Sequence, residues 1–516
     1  MTTAVPRQRM KTIILILAVV TLCAHQLVFV DWTCDDAFIS FRYAENLAQG
    51  NGLVFNPGER VEGFSNFLWV LILALVNLLG MPVLWAAKIL SVFISVLLVF
   101  LVYRTASSLG LASVPAGLCA LFVSLSTSLA YYAMSGMETV AYAFFLLYVV
   151  YLNIEIETNH PSPHLRYLLY GILLAAALIR PEGALFFLLT AAYHVIKEIF
   201  SKEKRGWART IRAPMLFGSL FITFLVFRYL YFHDIFPNTF YAKPPGTFTE
   251  YGANAFLQNF LNGLLSGTPL LLVLPALLLI KSGKKAYVYP LLICAGQVLF
   301  MTYSGDWMAF GRFFLPILPI VACLSFALLA NLTSAGEKKK TKGIFYAAAA
   351  ALLVVYAGAN IYQTQNALRS RDVYPYFVLN ASHLKELGSR LRESFPEQTR
   401  LALRRQGAVP YYSRMGSIDL LGLTDREISG ILAQDEDSVT KTGLVIETVL
   451  REKPDLIILF PSQSLFEGNM FDKQRPRDRL ITIEHRLYES ALELGYHESG
   501  YFDLGGLEKA LLLERD

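Results

Sequence analysis

Charge is scarce in this 516-residue sequence. Only 16% of its positions are Asp, Glu, Lys or Arg, while 55% are apolar; a soluble chain of this length carries about 25% charged residues. That excludes a soluble enzyme and a disordered chain. Cysteine is scarce too, five in all and scattered, which excludes a disulfide scaffold. Cys23, Cys119, Cys294 and Cys323 lie in apolar segments, and Cys34 stands alone in the first loop. The C-terminal part, 362–516, has no glycine loop of the kind that cradles phosphates and no metal-ligand spacing, and the sequence shows no internal repeat. A lipoprotein signal is also missing, because Leu22 stands where a small residue would have to precede Cys23. Met10-Lys11 and the roughly twenty apolar residues after them therefore read as a signal anchor kept as the first span.

The little charge there is falls unevenly. Residues 1–361 hold 25 Lys+Arg and 16 Asp+Glu, and residues 362–516 hold 20 and 24. The first stretch has the composition of a polytopic membrane domain and the second that of an ordinary soluble one. The overall +5 is thus +9 in the membrane part and −4 in the tail. An excess of that sign is what cytoplasmic loops supply, so it is not read as nucleic-acid binding.

Apolar runs lie near 12–30, 65–80, 83–103, 111–132, 138–153, 165–180, 182–196, 213–232, 268–280, 286–303, 311–330 and 343–361. The basic clusters Arg7/Arg9/Lys11, 197–212, 281–285 and 338–342 are expected to be cytoplasmic. The tail, the first loop 31–66, the loop 233–267 and the turn 304–310 then face outside. The middle allows two versions, each with about eleven spans. In one, 65–80 crosses and 165–196 is a single helix. In the other, 165–196 breaks at Pro181 and 65–80 is a juxtamembrane or re-entrant helix. The second is preferred, because proline disrupts a helix interior and an unbroken 30-residue helix would be about 45 Å long in a hydrocarbon core of about 30 Å. The tail, 362–516, reads as α/β. Strands are expected at 400–408 and 455–460, helices at 443–453 and 478–495, and a closing strand at 510–513. The acidic triplet 435–437 reads as a solvated loop.

Polar residues within a membrane domain are costly and mark function. Here they gather at the ends of spans, on the side expected to be outside. Asp35-Asp36 come just past the first span; adjacent acids at such a surface have raised or split pKa values, suited to general-base work or to holding a cation. Residues 50–66 are dense in turn formers and read as an ordered lid. Further islands are 135–139, 180–183, 238–244 and 305–308, with Arg312 a turn later. The cations Arg180, Lys243 and Arg312 suit a phosphate.

These residues also carry a resemblance. Asp35-Asp36-Ala37-Phe38-Ile39-Ser40-Phe41-Arg42-Tyr43-Ala44, the run 52–66, Ser135-Gly136-Met137-Glu138-Thr139, Arg180-Pro181-Glu182-Gly183, Phe236-Pro237-Asn238-Thr239-Phe240-Tyr241-Ala242-Lys243, Gly305-Asp306-Trp307-Met308, Gly311-Arg312-Phe313, Gly407-Ala408-Val409-Pro410-Tyr411-Tyr412-Ser413 and the run 419–425 together resemble the GT-C superfamily of glycosyltransferases. Within it, they are similar to the branch of the mycobacterial terminal arabinofuranosyltransferases and their bacterial relatives. The resemblance implies a polytopic α-helical membrane protein with a C-terminal extracytoplasmic α/β domain. It implies an inverting transfer of sugar from a polyprenyl-phosphate donor to a cell-envelope glycan or glycolipid, at the outer face of a bacterial cytoplasmic membrane.

The essential acid that such enzymes place in the first outer loop carries to Asp35 or Asp36. Asp35 is favoured as base and Asp36 as its partner. Lys243 is the first choice for the donor phosphate, with Arg180 and Arg312 next. Glu138, Glu182, Asp306, Arg42, Tyr241 and Asn238 are expected to orient those cations or to bind sugar and acceptor hydroxyls. No dedicated metal cage is visible; a divalent cation, Mg²⁺ or Mn²⁺, would bridge Asp36 and phosphate oxygens. The sequence background is rich in Lys, Phe, Tyr and Ile rather than Ala and Arg, which leaves arabinofuranose one choice of sugar beside a hexose or mannose given to protein or lipid. A lipid-linked sugar transporter is the rival of another class, disfavoured by the absence of repeated halves.

Overall fold

The computed structural model describes residues 4–158, 162–200, 206–242, 285–304, 308, 310–334, 339–369, 374–434, 436–460, 479–504 and 509–515. In chain order the first helices are α1 (Ala4–Leu27), α2 (Asp35–Ala48), α3 (Phe67–Leu78), α4 (Val83–Ser108), α5 (Ser113–Ser124), α6 (Thr127–Met134) and α7 (Thr139–Thr158). Then come α8 (Pro163–Ile179), α9 (Gly183–Ile199), α10 (Trp207–Phe232), α11 (Asn238–Ala242), α12 (Val288–Ser304), α13 (Leu318–Ser334), α14 (Lys339–Arg369) and α15 (Tyr374–Ser394). The rest alternates: β1 (Arg400–Leu403), α16 (Ala408–Ser413), β2 (Gly416–Asp419), α17 (Arg426–Ala433), α18 (Ser438–Arg451), β3 (Leu456–Leu459), α19 (Arg479–Glu493), β4 (Tyr496–Asp503) and β5 (Lys509–Arg515).

Among the described residues, five helices are long and apolar enough to cross a bilayer: Arg9–Leu27 within α1, then α4, α7, α10 and Gly343–Asn366 within α14. The pair α5 and α6 passes the same test together, bent by 56°. The bend has a local cause. Ser126 leaves helical geometry, and its Oγ accepts the Leu129 N–H at 3.3 Å to cap α6. The helices α3, α8, α12 and α13 are apolar but only 12 to 17 residues long. Each expected apolar run on described residues coincides with a helix or with the bent pair; the run 268–280 lies outside the described residues. The chain is a multi-pass membrane protein.

The expected break at Pro181 is present. Arg180 is extended, with φ −151° and ψ 136°, as the residue before a proline is driven to be, and α9 starts at Gly183. A Cβ on Gly183 would lie 2.3 Å from the carbonyl of Ala176, so glycine is what lets the two helix ends pass this closely. Helix α3, at about 18 Å for 12 residues, is too short to cross a core of about 30 Å.

By contacts the chain forms two compact units. The first is Met1–Asp31, Ala87–Leu225 and Pro245–Ala367; the second is Trp32–Ala86, Val226–Pro244 and Leu368–Asp516. In the first unit α7 is the buried helix, with 72% of its apolar window covered, against 11% for α10. Several buried polar groups of this unit are bonded to one another. Asn153 Oδ1 meets His194 Nε2 at 2.9 Å, and His194 Nδ1 meets the Tyr170 hydroxyl at 3.0 Å. Thr127 joins Asn360 through its N–H (2.8 Å) and its hydroxyl (3.0 Å). A buried polar group without a partner costs about 1–3 kcal/mol, so such pairing is what keeps these residues tolerable.

The second unit is built on a five-stranded sheet of order β2-β1-β3-β5-β4. β1 pairs in parallel with β2 and β3, and β5 pairs antiparallel with β3 and β4. β3 is Leu-Ile-Ile-Leu, buried throughout, as a strand covered on both faces must be. Ala402, Ile418, Ile457 and Leu513 share a core with Ile428, Val445, Val449, Leu487 and Ala491 from α17, α18 and α19. The expected strands at 400–408 and 455–460 and both expected helices are found, the first strand stopping at Leu403. β2 and β4 add to the expected set. In the acidic triplet, Asp437 caps α18, accepting the Val439 and Thr440 N–H groups at 2.8 and 3.1 Å; Asp435 lies outside the described residues.

Candidate active site

Asp35 and Asp36 open α2, where the helix dipole favours anions. Asp35 has more than the dipole to hold it. Its Oδ1 accepts the Ala408 N–H at 2.7 Å, a bond between residues 373 positions apart. The approach is possible because residue 407 is glycine: a Cβ there would fall 2.1 Å from the Asp35 carbonyl oxygen and 2.3 Å from Oδ1. The carboxyl is half-buried. Desolvation pushes its pKa up to about 6, against the pull of the Ala408 N–H and the positive charge of Arg405, and with a push from Asp36.

The same helix is clasped further along. Arg42 is buried and donates from Nε to Phe55 O (2.8 Å), from Nη1 to Pro410 O (2.6 Å) and from Nη2 to Met415 O (2.8 Å). Asn46 holds Val54 O and Phe55 O at 2.9 and 3.0 Å, and the Tyr43 hydroxyl links Val61 O to the Gly63 N–H. The loop 49–66 is therefore ordered, as its turn-rich composition leads one to expect. Glu62 is paired with Arg228, with contacts of 2.8 and 3.1 Å. Asn238 donates to Gly422 O (2.6 Å), Leu423 O (3.2 Å) and Asp425 O (3.0 Å), fixing the turn that precedes α17. Tyr241 is half-buried beside Phe240, with ring centroids 5.7 Å apart.

Four of the expected residues meet within the first unit. Glu138 Oε1 accepts from Arg180 Nη1 and from Arg312 Nη2, each at 2.8 Å. Arg180 Nε donates to Glu182, and its guanidinium lies 5.0 Å from the Phe313 ring and 5.7 Å from the Tyr142 ring. Two acids thus neutralise two arginines whose side chains are only 10–12% exposed. Arg180 is engaged through Nε and Nη1. Arg312 is half-buried; its Nε reaches Thr139 Oγ1 at 3.3 Å, and its Nη1 faces the Met308 sulfur at 3.4 Å. A thioether is a weak acceptor, so this is the donor that an anion would take most readily. Lys243 and Asp306 lie outside the described residues. Among the described residues no three of His, Cys, Asp and Glu converge in a way that could hold a metal ion.

Two buried or interacting residues carried no role in the sequence reading. Arg405 acts on Asp35 from the C-terminal part of the chain, and nothing in a linear sequence ties it to α2. Lys88 is buried in α4 and donates to Val30 O at 2.6 Å. Its signal was there to read: it is the lone cation in α4 before Arg104.

Comparison with known proteins bears on both units. The structure matches ArnT from Cupriavidus metallidurans, crystallised bound to undecaprenyl phosphate, with a TM-score of 0.60 over 97% of each chain at 11% identity. It matches the oligosaccharyltransferase AglB from Archaeoglobus fulgidus, in complex with an inhibitory peptide and a dolichol-phosphate, with a TM-score of 0.56 at 10% identity, over 88% of this chain and 70% of that one. The chain has the GT-C glycosyltransferase fold. In sequence it is similar to the terminal β-(1→2)-arabinofuranosyltransferase of Mycobacterium tuberculosis, 29% identical over 268 residues. That match takes in 49% of this chain and 42% of the relative, under half of each. A model described as a domain of unknown function (DUF8728) matches residues 360–505.

Proposed function

We propose that the chain is an inverting glycosyltransferase that takes a sugar from a polyprenyl-phosphate donor and gives it to a hydroxyl of a cell-envelope glycan or glycolipid, at the outer face of a bacterial cytoplasmic membrane. The observation that carries this reading is the Asp35 carboxyl: half-buried, held through one oxygen by a backbone N–H, and with a pKa of about 6. Such a group is ionised at neutral pH and still basic enough to take a proton as a bond forms. A placed base of this kind contributes about 10²–10⁴-fold.

Asp35 takes the proton of the acceptor hydroxyl, whose oxygen attacks the anomeric carbon while the bond to the donor phosphate breaks on the opposite face. Asp36 keeps the local charge negative. The departing phosphate gains charge, which preorganised cations stabilise. Arg312 is the described cation proposed for it, since among the described residues its Nη1 faces the weakly accepting Met308 sulfur. Glu182 holds Arg180, Arg180 holds Glu138, and Glu138 holds Arg312. Lys243 is proposed to act on the same phosphate. A divalent cation, if one is used, would meet Asp36. Arabinofuranose is the sugar favoured by the likeness to the mycobacterial enzyme.

The test uses the purified protein in liposomes with a polyprenyl-phosphate sugar labelled in the sugar. Transfer of label to an added glycan acceptor, with release of polyprenyl phosphate in equal amount, is expected. Movement of intact donor across the bilayer without cleavage would overturn the reading in favour of transport.

A further inference from the structure

Building on that reading, we infer that the segment Arg405-Gln406-Gly407-Ala408 is a positioning element for the Asp35 carboxylate, so that the working base is completed by a part of the chain far from it in sequence. The Ala408 N–H fixes Oδ1 at 2.7 Å, which orients the carboxylate. Gly407 makes the approach possible, because any side chain there would occupy the position of Asp35 itself.

The segment is in turn held rigid by the sheet. Gln406 is buried and donates to Leu403 O and Ile418 O, each at 3.0 Å, while its Oε1 accepts from the Ser417 hydroxyl at 2.7 Å. Arg404 is tied to Glu484 and to Phe460 O, each at 3.0 Å. Arg405 lies over the Phe460 ring at 4.9 Å. Of the charged groups that act on Asp35, Asp36 on its own helix repels the carboxylate and Arg405 attracts it. The Ala408 N–H and, after it, the charge of Arg405 favour the ionised base, and Gly407-Ala408 sets where it points. Both act through Asp35 rather than on the sugar.

The inference predicts separate effects. Gly407→Ala must move Asp35 by more than an ångström, and a displacement of that size costs about 10²-fold in turnover. Donor KM should stay within about threefold, as binding is not what was touched. Arg405→Gln should move the acid limb of the kcat/KM profile to higher pH, with Arg405→Lys restoring most of it; at pH 6 the Gln variant should turn over several times more slowly than wild type, and at pH 8 equally fast. The protein is assayed as the full chain in detergent or liposomes, with monodisperse elution and an unchanged Tm as the check on folding. If Gly407→Ala proves unfolded, the Arg405 pair decides alone. An acid limb unmoved by Arg405→Gln, or a folded Gly407→Ala with wild-type kcat, overturns the inference. Asp35→Asn is run alongside: wild-type turnover in that variant overturns the base assignment and this inference with it, whereas an inactive Asp35→Asn beside a fully active Gly407→Ala overturns the inference alone.

Discussion

Arg42→Met replaces a guanidinium by an uncharged chain of similar length at a buried site, and the outcome separates a clasp from a ligand-binding residue. In the structure the guanidinium satisfies three backbone carbonyls, of Phe55, Pro410 and Met415, at 2.6–2.8 Å. Methionine fills the space but donates to none of them. Three orphaned carbonyls at about 1–3 kcal/mol each amount to roughly 3–9 kcal/mol. Against this stands the cost of burying the charge, which lowers the Arg42 pKa to about 10 and corresponds to about 3 kcal/mol that the variant recovers. The balance is a loss of about 3 kcal/mol. Arg42→Lys should recover little, because one ammonium cannot span three carbonyls in the fixed fork that guanidinium offers. The assay is the half-life of thermal inactivation in detergent, the proper measure where unfolding is irreversible, together with donor and acceptor KM at low temperature. Shortened half-lives with unchanged KM are expected. A variant of wild-type stability with a KM raised tenfold or more would refute the clasp and make Arg42 a binding residue.

Other outcomes follow from the same contacts. Glu138→Gln removes the charge shared by two arginines whose side chains are only 10–12% exposed; breaking a buried pair costs about 3–5 kcal/mol, seen as a lower Tm, and Glu138→Gln combined with Arg312→Gln should lose less than the sum of the two. Gly183→Ala forces a contact of 2.3 Å with backbone and should lower the yield of folded protein in fluorescence-detected size-exclusion, where an elution profile equal to wild type would contradict the close packing of α8 and α9. In the second unit, burial raises Asp419 to about 7, Asp425 to about 6 and Glu62 to about 7. A carboxyl raised in this way holds its proton more tightly folded than unfolded, so the stability it contributes is full below about pH 4 and is lost as pH rises through 6–7. Unfolding followed by a probe on the second unit should therefore come at higher temperature at pH 5.5 than at pH 8.

Much of this was legible in the sequence because membrane residence leaves strong marks. Apolar runs gave the helices, and Pro181 between Arg180 and Glu182 gave the break between α8 and α9. The strands β1 and β3 could be read because they are short apolar runs, Leu-Ile-Ile-Leu in β3. β2 is Gly-Ser-Ile-Asp, and β4 alternates polar residues around Gly500 on an edge of the sheet; neither carries a hydrophobic period, and only pairing makes them strands. The polar residues at span ends were legible singly. What a linear reading does not give is their bonding. Glu138, Arg180, Glu182 and Arg312 stand close enough to share protons' worth of charge only once α7, α8 and the turn before α13 pack together. Asp35 is likewise seen in the sequence, but Gly407 and Ala408, 373 positions away in the case of Ala408, acquire their meaning from a fold that carries them to α2.

The central claim is that Asp35 is the base of a sugar transfer, and the most direct measurement is turnover of labelled polyprenyl-phosphate sugar by Asp35→Asn in liposomes, compared with wild type and Asp36→Asn at equal amounts of folded protein. Asn keeps the size of the side chain and its carbonyl acceptor for the Ala408 N–H, and removes only the proton acceptor. The account expects Asp35→Asn to lose at least about a hundredfold in kcat, with donor KM little changed and Asp36→Asn less affected. Wild-type turnover by Asp35→Asn would contradict it.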